Sequence, residues 1–289
     1  MNTYRYRIRI ADAVWEYSLP VKVEMDDIIR PFVIETEKPT FYIDYQIGHP
    51  LDTDEVLINP SVPTVWMGPD YYRVERLSSM SLKAQSCYIL HFNDPYSMEG
   101  YIYPGREKLF DNMEKVIDVS DMELQLTAIN AISLHSSFIN YSGKAILFSG
   151  PSGTGKSTQA MLWERWRGAR QINGDRTVIR NVDGTWLAYG SPFAGSSGVC
   201  KNESAPIQTV VVLRQAEDNS VRQLNAGEAF RFLYSETAIP TWNKWAHTSI
   251  MNIIDQIVNE LPVVMLSCRP DKSAVDCLDQ YLSEVQNDC

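Results

Sequence analysis

The chain has 289 residues, 44% of them hydrophobic and 21% charged. That balance suits a globular core and excludes a disordered tail or a fibrous repeat. With 26 Lys+Arg against 36 Asp+Glu, the formal charge of -10 argues against nucleic acid and anionic membranes as partners, because both attract cationic surface.

At about 100–200 residues per domain, the length predicts one large or two modest domains. No apolar run approaches the roughly 18 residues of a membrane-spanning helix; Val210-Val211-Val212-Leu213 is typical of the longest. The N-terminal Met-Asn-Thr-Tyr-Arg-Tyr-Arg leads into no apolar signal-peptide core. Cys87, Cys200, Cys268, Cys277 and Cys289 form no C-x-x-C pair, which points to unpaired thiols in a reducing compartment and away from a structural zinc site. A cytoplasmic protein is the expectation.

Taken in chain order, residues 1–118 read as a β-rich accessory or substrate-facing domain. Tyr4, Tyr6, Ile8 and Ile10 alternate with Arg5, Arg7 and Arg9, the period of a half-buried strand. Further strands are predicted at 41–45, 55–58, 71–74, 87–92 and 101–103, separated by turn-rich pieces such as Gly68-Pro69-Asp70. A second domain is placed at 119–289. It opens on Ser120-Asp121-Met122-Glu123, which has the form of a capping box, with Leu124, Ala128, Ile129 and Ile132 at helical spacing behind it. Strands at 134–139 and 144–149 follow, joined by a turn at Asn140-Tyr141-Ser142-Gly143.

Gly150-Pro151-Ser152-Gly153-Thr154-Gly155-Lys156-Ser157 fits G-x-x-x-x-G-K-[ST] in full. Glycines permit backbone conformations in which successive N–H groups turn inward and cradle phosphate oxygens. In such a loop the lysine, here Lys156, reaches the β- and γ-phosphates and the hydroxyl, here Ser157, ligates Mg²⁺. The apolar strand 145–148 leads in and a helix from Ser157 to Trp166 leads out, with its positive dipole end toward the loop. The predicted nucleotide-binding set is Gly150, Ser152, Gly153, Thr154, Gly155, Lys156, Ser157 and Thr158, with ATP and Mg²⁺ as the expected cofactors.

Asp175, in Asn173-Gly174-Asp175-Arg176, follows Lys156 by 19 residues. One helix and a short connection fill that gap, so Asp175 can return beside the phosphates, to hold Mg²⁺ or to accept a proton from an attacking hydroxyl. A hairpin turning at Asp183-Gly184 comes next, then a Gly/Ser-rich loop over 190–206 and an apolar strand over 207–213. Helices are read near Asn225-Ala226-Gly227-Glu228 and over 242–261, where Trp245, Ile250, Ile253, Ile254 and Ile257 form an apolar stripe.

The order His135, hairpin, glycine-rich loop, short helix, Gly-Asp-Arg, hairpin, Ser/Gly-rich loop resembles the catalytic domain of HPr kinase/phosphorylase, and it is similar to kinases of the wider phosphoenolpyruvate-carboxykinase-like superfamily. The similarity covers about residues 130–270, including the ending from Leu261-Pro262-Val263-Val264 to Cys268-Arg269-Pro270-Asp271. The resemblance implies an α/β kinase domain with a mixed sheet, preceded by the β-rich domain. It also implies a His near the reacting phosphate at His135, and a place for Asp175 on an Asp-Asp pair that here reads Gly174-Asp175. The family's glycine-rich signature after the second hairpin is not recognisable, so the chain is not expected to be a true HPr kinase.

The polar loop offers Ser196, Ser197, Lys201, Asn202 and Glu203 for the acceptor or the transferred phosphate, and Arg176 and Lys201 as cations over the γ-phosphoryl. The expected reaction is therefore transfer of the γ-phosphoryl of ATP-Mg²⁺ to a hydroxyl of a small molecule, with a nucleoside such as adenosine or free serine as examples. Asp175, His135 and Lys156 are its catalytic residues, and Ser157 with Asp175 positions the metal. A serine of a protein or peptide is the alternative acceptor, and a non-catalytic ATP-binding regulator the alternative class; a homo-oligomer stays open.

Overall fold

The computed structural model describes residues 2–51, 54–78 and 81–287. Its chain divides into two compact units, one of residues 1–128 with 240–244 and one of residues 129–239 with 245–289. The division after Ala128 falls beyond the predicted one at 118.

The first unit is built on nine described strands: β1 (Tyr4–Ile10), β2 (Ala13–Leu19), β3 (Val33–Ile34), β4 (Phe41–Ile47), β5 (Val56–Asn59), β6 (Thr64–Met67), β7 (Tyr71–Ser78), β8 (Ser81–His91) and β9 (Ser97–Ile102). They form one sheet in the order β3-β1-β2-β4-β9-β8-β7-β6-β5. Ile8 and Ile10 of β1 are buried while Arg5 and Arg9 are exposed, as period-two alternation requires.

Two short helices, α1 (Met113–Val119) and α2 (Met122–Leu126), complete this unit. The predicted capping box and long helix are corrected here. Asp121 is left-handed at φ 47 and makes no side-chain cap bond, and α2 ends at Leu126. Ile132, read as the helix's last apolar position, lies instead in a strand. Tertiary packing overrides the helical spacing: Met122, Leu124 and Leu126 are buried, and Gln125 Oε1 accepts from the buried Trp15 indole at 2.8 Å.

The second unit contains β10 (Ala131–Tyr141), β11 (Lys144–Ser149), α3 (Lys156–Arg167), β12 (Arg170–Asn173), β13 (Arg176–Val182), β14 (Thr185–Tyr189), β15 (Ser204–Gln215), β16 (Ser220–Gln223), α4 (Ala226–Glu236), α5 (Lys244–Glu260), β17 (Val263–Cys268) and α6 (Lys272–Asn287). The fold is mixed α/β. β11, β15 and β17 run parallel, and the remaining pairings are antiparallel. Two-residue turns close the β10–β11 hairpin at Ser142 and Gly143 (φ 52 and 80) and the β13–β14 hairpin at Asp183 and Gly184 (φ 50 and 84), the positive-φ pairs that match strand twist.

β11 and β15 are apolar on both faces because helices cover both. Leu147, Val210 and Val212 join a core with Ala229 and Leu233 of α4 and Ile250 and Ile254 of α5. Ile146, Phe148 and Val211 pack against Ala160 and Trp163 of α3 and Val275 and Leu278 of α6. Burying a side chain of this size contributes about 1.5–3 kcal/mol, so burial on both faces anchors the central strands. Trp245, counted in the apolar stripe of α5, is 51% exposed, and Ala246 is buried beside it.

Of the four described cysteines, Cys87, Cys200, Cys268 and Cys277, none is in a disulfide; Cys289 lies outside the described residues. Among the described residues no helix is long and apolar enough to cross a membrane.

Candidate functional site

The site lies where β11 ends. On one side β11 pairs with β10, Ser149 standing opposite Ser136; on the other it pairs with β15, opposite Val212. The first half of β10 turns to β13, with His135 opposite Arg176. These pairings bring His135, the loop after Ser149, Asp175 and the end of β15 to one edge of the sheet.

The loop runs from β11 into α3. Gly150, Gly153 and Gly155 have φ of 147, 83 and 105, the positive range that residues with a Cβ resist. Thr154 Oγ1 donates to Pro151 O at 2.8 Å, and Gln215 Nε2 at the end of β15 donates to Gly153 O at 3.0 Å. Both bonds fix the loop's curvature. Lys156 is only 8% exposed; its ammonium donates to Gly150 O at 2.7 Å and to Pro151 O at 3.2 Å. Burial pushes Lys156 below the ordinary lysine range, while the carboxylates of Glu236 and then Asp175 hold it up. Ser157 is half-buried in the first turn of α3, and Ser152 and Thr158 are exposed.

Asp175 is held through its own backbone by the Asn173 side chain. Asn173, 1% exposed, accepts from the N–H groups of Asp175 (3.0 Å) and Arg176 (2.8 Å) and donates to Ser191 O (2.8 Å). Gly174 leaves no room for a side chain: a Cβ there would overlap the Ser197 hydroxyl, so a carboxylate at this position is sterically closed. Arg176 stands beside Asp175, its Nε 4.0 Å from Oδ2, with its guanidinium over the Phe193 ring at 5.2 Å.

His135 sits between two carboxylates. Nδ1 lies 3.0 Å from Glu236 Oε2, and Nε2 lies 3.6 Å from Asp175 Oδ1. Glu236, whose side chain is 10% exposed, is the last residue of α4. The chain after it is stitched to β10 by the Leu134–Thr237 bridge and by Ala238 N donating to Ser133 O at 3.0 Å. An ionised Glu236 accepts only from an Nδ1–H tautomer, which leaves Nε2 facing Asp175.

The acceptor-loop candidates are divided by the structure. Residues 199–203 run antiparallel beside β12: Gly174 N donates to Val199 O, Lys201 N donates to Ile172 O, and Glu203 pairs with Arg170 at 2.6 Å. Lys201, Asn202 and Glu203 therefore lead away from Asp175, and Glu203 is engaged with Arg170. Ser197, nearest to Gly174, is occupied within its own turn, donating to Ala194 O at 2.7 Å and accepting from Val199 N at 3.1 Å. Ser196 is exposed on the same turn.

Sequence reasoning missed Glu236 and Asn173. Asn173 carried a readable signal, an Asn two residues before the turn's Asp. Glu236 carried none, because its place depends on how α4 docks.

A metal fits this donor set in a limited way. Among the described residues no group of three or more His, Cys, Asp or Glu has a metal-holding arrangement. The Ser157 hydroxyl and one carboxylate suit Mg²⁺, which commonly takes its remaining ligands from phosphates and water.

Residues 107–268, more than half of the chain, match the family model described as SynChlorMet cassette protein ScmC. No curated protein matches. Among solved structures, the Hpr(Ser) kinase/phosphatase from Coxiella burnetii matches with 10% sequence identity and a TM-score of 0.33, covering 54% of this chain and 93% of that one.

Proposed function

Given that the chain belongs to the SynChlorMet cassette protein ScmC family, we propose that its second unit is a phosphotransferase that moves the γ-phosphoryl of ATP to a hydroxyl of a small molecule. One observation carries this reading. A buried lysine at the root of a positive-φ glycine loop stands within the field of Asp175 and Glu236, and those two carboxylates bracket His135. That arrangement supports a cation for a polyphosphate and a proton acceptor working at one strand end.

Each residue has a task in this reading. The loop amides and Lys156 hold the β- and γ-phosphates. Mg²⁺ held by Ser157 and Asp175 would neutralise charge on those phosphates. Asp175 takes the proton as the acceptor oxygen bonds to the γ-phosphorus and the bond from that phosphorus to the β-bridging oxygen breaks, releasing ADP. Glu236 keeps the His135 ring turned so that Nε2 receives or shares the proton on Asp175. Arg176 offsets charge spread over the transferred group. Such a site works by positioning and by preorganised charge.

The test is ADP release from ATP-Mg²⁺ across a panel of nucleosides, hydroxy amino acids and serine-containing peptides, beside Lys156→Ala and Asp175→Asn. We expect a small hydroxyl compound to raise turnover, and each substitution to lower it by roughly 100-fold or more. ATP binding with no acceptor-dependent turnover from any small molecule would overturn the reading in favour of a protein acceptor or a nucleotide sensor.

A further inference from the structure

The Gly/Ser-rich loop lies against the turn that carries Asp175, backbone to backbone. Asn173 Nδ2 donates to Ser191 O at 2.8 Å, and Gly174 N donates to Val199 O at 3.0 Å. Between these two ties runs Ala194-Gly195-Ser196-Ser197-Gly198, where no side chain is larger than that of serine. Gly195–Ser197 forms a single helical turn. Being tied on both sides, this turn cannot retreat from Asp175 without breaking those bonds.

Gly195 and Gly198 have φ of 54 and 66, so both positions favour glycine on conformational grounds. Only Gly195 is also closed by packing. A Cβ on it would lie 2.7 Å from Cβ and Cγ of Asp175 and 2.8 Å from Oδ1, whereas a Cβ on Gly198 would meet no other group within 4 Å. Rotating the Asp175 side chain relieves only part of that overlap, because its Cβ is among the atoms met. Oδ1 is also the oxygen that faces His135 Nε2 at 3.6 Å. The Gly195 backbone and the imidazole therefore bound the same carboxylate oxygen.

We propose that Gly195 is a positioning residue for the reaction: its bare Cα is the stop against which the Asp175 carboxylate rests, and it holds Oδ1 toward His135. The inference rests on the phosphotransfer reading of Asp175 and adds to it a residue that acts through that carboxylate. A side chain at this position forces the turn and Asp175 apart and opens the Asp175–His135 pair. The glycine-rich loop and Lys156 lie outside this contact and keep their arrangement.

The experiment compares Gly195→Ala with Gly198→Ala, which carries the same left-handed strain without the contact. In Gly195→Ala, kcat should fall about 100-fold, the effect of misplacing a catalytic group by about 1 Å. Its affinity for ATP, measured without Mg²⁺, should not change. Gly198→Ala should keep kcat near the wild-type value. Nitrogen-15 NMR supplies a readout that needs no turnover: the His135 Nε2 resonance should move in Gly195→Ala and stay in Gly198→Ala. A stability cycle covers poor folding of Gly195→Ala, whose loss of melting temperature should shrink when Asp175→Gly removes the atoms that the new methyl meets. Equal effects of the two alanines, an unchanged kcat or an unmoved Nε2 resonance in Gly195→Ala, or an undiminished loss beside Asp175→Gly overturns the proposal. If the wild type transfers phosphoryl to no acceptor, the phosphotransferase reading falls, and the Nε2 resonance alone decides whether Gly195 sets the pair.

Discussion

At the scale of single residues, Glu236 decides what His135 can do. In the tautomer that carries its proton on Nδ1, the ring donates to Glu236 at 3.0 Å and Nε2 faces Asp175, placed in the proposed reaction to share a proton taken from the acceptor. A glutamine in place of Glu236 has an N–H to offer, and it favours the opposite tautomer, in which Nε2–H donates to the Asp175 carboxylate and weakens it as a base. Glu236→Gln should therefore lower kcat by about 10- to 100-fold. ATP affinity should not fall, because the substitution removes a negative charge close to Lys156. Steady-state kinetics with nitrogen-15 NMR of His135 checks both parts. Unchanged kcat with an unchanged tautomer would remove Glu236 from the chemistry.

At the scale of elements, the turn joining β12 to β13 depends on a buried side chain that bonds three backbone groups. Asn173 satisfies two backbone N–H groups and donates to Ser191 O. Each buried group left without a partner costs about 1–3 kcal/mol, and a surface substitution usually stays within about 0.5 kcal/mol. Asn173→Ala should then destabilise the protein by about 2–4 kcal/mol, a fall in melting temperature of about 5–15 °C, with loss of turnover because Asp175 is no longer oriented. Calorimetry reads the first effect; a shift below about 1 °C would show that the network carries little. The same turn marks the limit of what sequence conveys. The strand–loop–helix around Lys156 was legible because its glycines, apolar run and helix follow one another directly. So were the β10–β11 and β13–β14 hairpins, whose Ser-Gly and Asp-Gly turns are local. The helix expected through Ile132 failed because Asn130 takes φ 53, after which the chain enters β10. Glu236 stayed hidden because it meets His135 across a sequence separation of 101 residues, and no local pattern encodes how α4 meets β10.

At the scale of the whole molecule, charge works against the nucleotide proposed for the glycine-rich loop. The chain carries a formal -10, and a nucleoside triphosphate is itself strongly anionic, so long-range encounter is repulsive. In the proposed function, capture then depends on short-range groups, Lys156, Arg176 and the loop amides, whose reach is less than a Debye length of about 8 Å at physiological salt. Salt screens the distant repulsion more effectively than these close contacts, because the lysine is buried. The association rate of ATP should accordingly rise by about two- to fivefold as ionic strength goes from about 10 to 150 mM, the reverse of the fall seen when opposite charges steer encounter. Stopped-flow mixing with a fluorescent ATP analogue measures this directly, and Lys156→Ala separates the two contributions by removing tight capture while leaving the long-range field nearly intact. A rate that falls with salt would mean that a cationic patch at the loop, Arg176 and Arg214 foremost, outweighs the net charge. Encounter would then be set by the site's own field rather than by the acidic body around it.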